Sequence, residues 1–261
     1  MRTTLFLLTL MAAGCATTEA ELPKRYTCVK ITAPVAVDGR MDDAAWNAAA
    51  WTDWFVDIEG DVKPRPRFQT RAKMLWDDTY FYVAAWMEEP HVWGSLTEHD
   101  QIVFHDNDFE VFIDPDGDTA QYYEIEVNAL NTIFDLFLHK RYLDGGPADH
   151  DWNAEGLRTA IYVDGTLNDP SDVDRFWSVE MAIPWATLAP FANRPSPPHA
   201  GDTWRVNFSR VQWQHVIREG RYRKRPDTKE DNWVWSPQGK INMHLPRHWG
   251  YVTFAGPEAG G

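Results

Sequence analysis

The sequence predicts an all-β fold, an antiparallel β-sandwich with few short helices. Three observations carry this: polar and apolar residues alternate with period two along most of the chain, turn-forming residues punctuate those runs, and no long amphipathic helical stretch is present. The chain has 261 residues, a length that fits one large core better than two.

Taken in order, the first stretch is MRTTLFLLTLMAAGC, with a positive residue at Arg2 and an apolar run from Leu5 to Ala13. It is too short to cross a bilayer and reads as a secretory signal over residues 1–15. Ala12-Ala13-Gly14 ahead of Cys15 matches the cleavage box of a bacterial lipoprotein. Cys15 is then the lipidated residue, 16–24 a tether and 25–255 a single β-sandwich domain. The expected location is outside the cytoplasm, anchored by lipid in the cell envelope on the outer-membrane or periplasmic side.

In RFQTRAKMLW, Phe68, Thr70, Ala72, Met74 and Trp76 alternate with Arg67, Gln69, Arg71 and Lys73, as in a half-buried strand. Asp77-Asp78 makes a turn, and TYFYVAAWM (79–87), apolar on both faces, returns as a central strand. DFEVFID and YYEIEVNA form a second hairpin, with Phe109, Val111, Ile113 and Tyr123, Ile125, Val127 in phase. Two further strands follow in DRFWSVEMAIP and TWRVNFSRV. Helical signals reduce to Asp42 capping a turn in DDAAWNAAA and Pro184 opening one turn through Leu188. Loops are expected at Gly145-Gly146-Pro147 and from Arg194 to Gly201, and the basic run from Arg218 to Glu230 reads as a solvated hairpin tip.

The net charge of -14 excludes nucleic acid as a partner, since phosphates would be repelled. Two cysteines, one of them Cys15, leave Cys28 without a disulfide partner and suited to a buried position. Fourteen tryptophans supply a core and, in part, flat surfaces on which sugar rings stack.

Three chemistries compete for the acidic stretch from Phe104 to Ala129. Asp114, Asp116 and Asp118, with Gly117 between, offer hard oxygen ligands suited to calcium. The EF-hand pattern fails, because counting from Asp114 the sixth residue is Thr119 and the twelfth is Ile125. An unspecialised calcium brace and an ordinary turn both remain open. A glycoside hydrolase needs two carboxyl groups across a scissile bond, and no pair stands out in the sequence. Serine-hydrolase, zincin and nucleotide-loop motifs are missing, and Pro246 between His244 and His248 breaks the helical spacing a metal pair requires. The third chemistry is a binding wall. If the apolar residues of the hairpin face the core, Glu110, Glu124, Glu126 and Asn128 face away, with Glu180, Arg205, Asn207 and Ser209 in the same phase on later strands. Acids, amides and arginine on one face suit the vicinal hydroxyls of a sugar, and a plain solvated face is the alternative.

Six blocks in order resemble the family 9 carbohydrate-binding modules and their stand-alone bacterial relatives. They are VDGRMDDAAW, AKMLWDDTYFYVAA, NDFEVFIDPDGD with YYEIEVNALN, WSVEMAIPW, GDTWRVNFSR, and the close WSPQG with HLPRHWGYVTF. The resemblance implies a jelly-roll-like sandwich that binds sugars, with calcium in a structural role. It places a supporting acid at Glu110 and an amide at Asn128, and puts Glu126 where family members carry arginine. The two aromatic clamp positions fall near Phe104 and Met243, so Trp93, Trp213, Trp235 or Trp249 would have to stand in for the usual tryptophans. The function so implied is non-catalytic binding of a mono- or oligosaccharide in support of polysaccharide catabolism. A glycoside hydrolase using Glu110, Glu126 and Glu180, and a haem-binding variant of the sandwich, are the competing expectations.

Overall fold

Period-two patterning becomes fifteen strands in the computed structural model, which describes residues 23–256. The signal segment, Cys15 and tether residues up to 22 lie outside the described residues. The strands are β1 (Arg25–Lys30), β2 (Val56–Asp57), β3 (Thr70–Trp76), β4 (Tyr80–Glu88) and β5 (Asp108–Asp114). They continue with β6 (Tyr122–Asn128), β7 (Ile133–Leu138), β8 (Ala148–Asp149), β9 (Arg158–Asp164) and β10 (Phe176–Pro184). The last five are β11 (Thr203–Gln212), β12 (His215–Arg218), β13 (Arg221–Lys224), β14 (Asp231–Val234) and β15 (Gly250–Ala255). One α-helical turn, α1 (Trp185–Leu188), follows Pro184 as the sequence suggests.

Thirteen strands share one sheet, in the order β8-β7-β6-β5-β11-β15-β1-β3-β4-β10-β9, with β14 and β2 branching from β11. The sheet curls so that its two halves meet. Phe109, Val111, Ile113, Tyr123, Ile125 and Val127 share one core cluster with Met74, Val83, Val179 and Met181 of the opposite half. Cys28 lies fully buried in that core. Six tryptophans share that core, and among them Trp76, Trp185 and Trp204 pack edge to face around Phe254, with Trp185 and Trp204 centroids 5.4 Å apart.

Two expectations need correction. The sheet is mixed, because β1 runs parallel to both of its neighbours, β15 and β3. The chain's first strand slots between the last strand and an early one, and that insertion joins the two halves. Nor is the outer face of the acidic hairpin solvated: every residue of β5 and β6 is buried, while β3 begins with the expected alternation of buried and half-buried residues. A second apolar layer, including Phe112, Tyr122, Phe134, Val234 and Trp249, covers their outer face.

The outer face of β10 is covered differently. Glu180 accepts hydrogen bonds from the Asp38 and Gly39 backbone N–H groups at 2.9 and 2.7 Å and from the Trp46 indole at 2.7 Å. The VDGRMDDAAW block is therefore a strap clipped to the sheet by Glu180, with Ser178 Oγ donating to Gly39 O at 2.6 Å and Lys73 Nζ to Trp46 O at 2.7 Å. The turn Ala44–Asn47 within it is preceded by Asp43 rather than capped by Asp42, and the Asp43 carboxylate accepts from Ala36 N–H instead. Gly39 sits at φ +86°, and a Cβ there would lie 2.6 Å from the backbone of Ile161 and Tyr162. Gly39→Ala is expected to cost about 1–3 kcal/mol, from the left-handed backbone and the clash together. Urea unfolding of the variant checks it, and an unchanged midpoint would refute this account of the strap.

On the other half, Arg210 of β11 is wholly buried. Its guanidinium reaches Glu89 at 3.1 Å, Gln212 at 2.6 and 3.0 Å and the Thr70 hydroxyl at 3.0 Å. It also lies over the rings of Trp233 and Phe68. The basic run maps onto the β12–β13 hairpin, whose tip is exposed.

Candidate functional site

Antiparallel register decides which acids meet. Glu110 of β5 lies directly opposite Glu126 of β6, Phe112 opposite Glu124, and Asp108 opposite Asn128. Period two then sends Asp108, Glu110, Glu124 and Glu126 to the face turned away from the main core. They form the floor of a cleft of about 430 Å³, which Glu110, Glu124 and Glu126 line. Phe104, Phe112, Phe134, Tyr142, Met243 and His244 supply its apolar walls.

The two walls that carry Phe104 and Met243 are held by tryptophans. Trp213 donates its indole N–H to the Phe104 carbonyl at 2.8 Å, and Trp249 does the same to the Met243 carbonyl at 2.8 Å. These two tryptophans thus position the residues at the clamp sites from behind. Phe104 N–H in turn donates to Glu126 at 2.9 Å, tying one wall to the floor.

Electrostatically the floor is unusual. Burial pushes all four carboxyls, Asp108, Glu110, Glu124 and Glu126, well up from their ordinary values, Glu110 to about 7. Mutual repulsion adds to burial for the latter three. Among the described residues no lysine or arginine lines the cleft. His244 is held neutral, since burial lowers it to about 4, and its Nδ1 lies 3.1 Å from the Tyr122 hydroxyl.

The remaining residues singled out from the sequence lie elsewhere. Asn128 is committed to its own turn: Oδ1 accepts from Leu130 and Thr132 N–H at 3.0 Å each, and Nδ2 donates to Leu96 O and Asp106. Arg205 donates to Pro246 O at 2.9 Å and lies 4.0 Å from the Tyr251 ring centroid. Asn207 exchanges hydrogen bonds with Ser236 at 2.8 and 2.9 Å. Both brace the closing segment that carries Met243. Trp93 is buried and stacks on Tyr222 at 6.3 Å, and Trp235 packs in the main core. Glu180 is on the far half of the sheet, under the strap.

Asp114, Asp116 and Asp118 offer oxygens within 4.8 Å of one another. Those oxygens already accept backbone N–H bonds: Asp114 from Gly117 and Thr119, Asp116 from Asp118, and Asp118 from Ala120. The turn is thereby closed by its own bonds, and the distances would also suit calcium. Burial raises Asp114 to about 7, against the pull of Gly117 and Thr119 N–H.

Asp108 and most of the wall aromatics were not picked out from the sequence. Asp108 had a signal, since it shares strand phase with Glu110. Tyr142 and Phe134 had none, because only the folding of β7 and its following loop over the cleft brings them there.

The profile of the family described as "Carbohydrate family 9 binding domain-like" matches residues 37–200, more than half of the chain. Exoglucanase XynX of Acetivibrio thermocellus is 26% identical over 155 residues, which are 58% of this chain and 12% of that enzyme's length. A family 9 carbohydrate-binding module of Caldicellulosiruptor kristjanssonii, solved with cellotriose, superimposes with a TM-score of 0.57 at 17% identity, covering 90% of this chain and 96% of that one. A protein of Bacteroides uniformis gives a TM-score of 0.63 at 17% identity, covering 88% and 99%. The structures agree with the fold and the profile spans the strap, the acid-bearing hairpin and β10, so the chain belongs to the Carbohydrate family 9 binding domain-like family.

Proposed function

We propose that this protein binds a mono- or oligosaccharide in the cleft between Phe104 and Met243 and does not hydrolyse it. The observation that carries the reading is the pairing of apolar walls at the two clamp positions with a floor of hydrogen-bonding carboxyls. Rings of a sugar offer CH faces to the first and hydroxyls to the second. Family membership and the cellotriose complex of the structural relative support it.

Hydrolysis is not the favoured reading. Glycosidase carboxyls sit roughly 5–9.5 Å apart on either side of the bond. Here Glu110 and Glu126 stand side by side as a directly opposed pair on adjacent strands rather than facing each other across a gap, and Glu180 is remote. We further assign the protein to the bacterial cell envelope, exported and tethered through a lipid on Cys15, where capture of a polysaccharide would serve neighbouring degradative enzymes. In this reading the Asp114, Asp116 and Asp118 turn is a structural brace, and calcium is its natural ligand.

Calorimetric titration with cellotriose and a panel of β-linked and host glycans tests the cleft. Phe104→Ala and Met243→Ala are expected to weaken binding by about 1–3 kcal/mol each, as loss of a packed anchor does. Trp54→Ala, an exposed aromatic away from the cleft, should leave affinity unchanged. Absence of binding across the panel, or equal losses in all three variants, would overturn the proposal.

A further inference from the structure

We propose that Asp108, Glu110 and Glu126 form a divalent-cation site in the floor of the cleft, with Glu124 beside it, and that calcium is the cation it takes. Three carboxylate oxygens, one from each residue, lie within 4.8 Å of one another. Oxygens gathered that closely can share one cation, and an all-carboxylate set of hard oxygens suits calcium, whose ligands lie about 2.3–2.6 Å from the ion. The side chains are 0, 5 and 2% exposed, so the cluster is enclosed rather than a solvated acidic surface.

An independent feature points to a missing positive partner. Asp108 uses one oxygen to accept from Val211 N–H at 3.1 Å, while its second oxygen is buried without any partner. One oxygen of Glu124, a side chain 5% exposed, is likewise buried and unsatisfied. Orphaned polar atoms of this kind are costly and uncommon in folded proteins. Among the described residues none of the four carboxylates forms a salt bridge; Lys224, which feels Asp106, Glu230 and Asp108, lies over the Trp213 ring at 3.7 Å. Like charges facing each other across a strand pair destabilise a sheet, and the Glu110–Glu126 pair is of that kind.

A calcium ion takes six to eight oxygens. Three carboxylates leave positions open, and the lining of Glu110, Glu124 and Glu126 turns those positions toward the cleft. If the saccharide reading holds, sugar hydroxyls are suited to fill them. The cation site itself does not rest on that reading, and its test contains no sugar.

Equilibrium dialysis with radioactive calcium on the full-length protein decides the matter. The comparison is between D116N/D118N, which disables the β5–β6 turn, and the same protein carrying D108N and E126Q as well. The first is expected to bind calcium and the second to lose at least tenfold in affinity, with tryptophan fluorescence confirming the fold. Equal binding by the two, or no binding by D116N/D118N at millimolar calcium, would overturn the proposal. Should the four-substitution protein fail to fold, thermal unfolding of D116N/D118N replaces it. Calcium over chelator should then raise Tm at pH 7.5 and raise it less at pH 5, because the ligands must be deprotonated; a Tm indifferent to calcium refutes the site.

Discussion

Freed of divalent cations by chelation, the protein is expected to lose stability as pH rises from about 4.5 to about 7. The sign follows from proton counting. Glu110 ordinarily titrates near 4.5 and is raised to about 7 in the fold. Between those values the folded state holds a proton that the unfolded chain has released, so the unfolding free energy falls with pH. One pKa unit corresponds to about 1.4 kcal/mol, which makes the loss from Glu110 of the order of 3 kcal/mol. Asp114, raised from 3.8 to about 7, acts in the same direction over a window that opens slightly lower. Asp108, Glu124 and Glu126 are also raised by burial, so each acts in the same direction. Urea unfolding at pH 5, 6 and 7.5 in chelator, followed by tryptophan fluorescence, should show the midpoint falling at each step. A midpoint that rises with pH would mean that the floor is ionised and compensated in some way the cleft does not show. Glu126→Gln should flatten the slope, because it removes one carboxyl that burial holds protonated in the fold.

Arg210→Met is expected to cost about 3–5 kcal/mol, the range for breaking a buried pair from one side. Methionine can fill much of the space between Trp233 and Phe68 but offers no donor. Glu89, itself raised by burial and pulled down chiefly by Arg210, then keeps the hydrogen bonds from Gln212, Asn107 and His91 N–H and the weaker pull of Arg67. The Thr70 hydroxyl loses a partner in the same step. A double variant with Glu89→Leu should recover part of the loss, since replacing both charges removes the stranded one. If Arg210→Met costs under about 1 kcal/mol, the buried network is not what ties β11 to β3 and the loop after β4.

Much of the frame was legible in the residues. The alternation in 67–76, 108–114, 122–128 and 203–212 placed β3, β5, β6 and β11 and the phase of their inward residues, because a pleated strand alternates by geometry alone. The same phase put Glu110, Glu124 and Glu126 on one face. What lay over that face was not legible. Trp213 reaches the Phe104 carbonyl across 109 positions, and the closing segment with Met243 is held by Arg205 and Asn207. Both residues read as outward hydrogen-bonders on strand phase, and both are used to fasten the cover. Asn128 shows the same limit: its amide is the right chemistry for a sugar, and its own turn consumes it.

By itself, then, the sequence determined β3 to β6, β10 and β11, the family and the shared face of the acids, all of which follow from local periodicity and ordered motifs. Tertiary structure alone decided the parallel insertion of β1, the strap on Glu180 and the enclosure of four carboxyls beneath Phe104 and Met243. Those depend on which distant segments pack together, and burial, which sets the charge state of Glu110 and its neighbours, is a property of that packing.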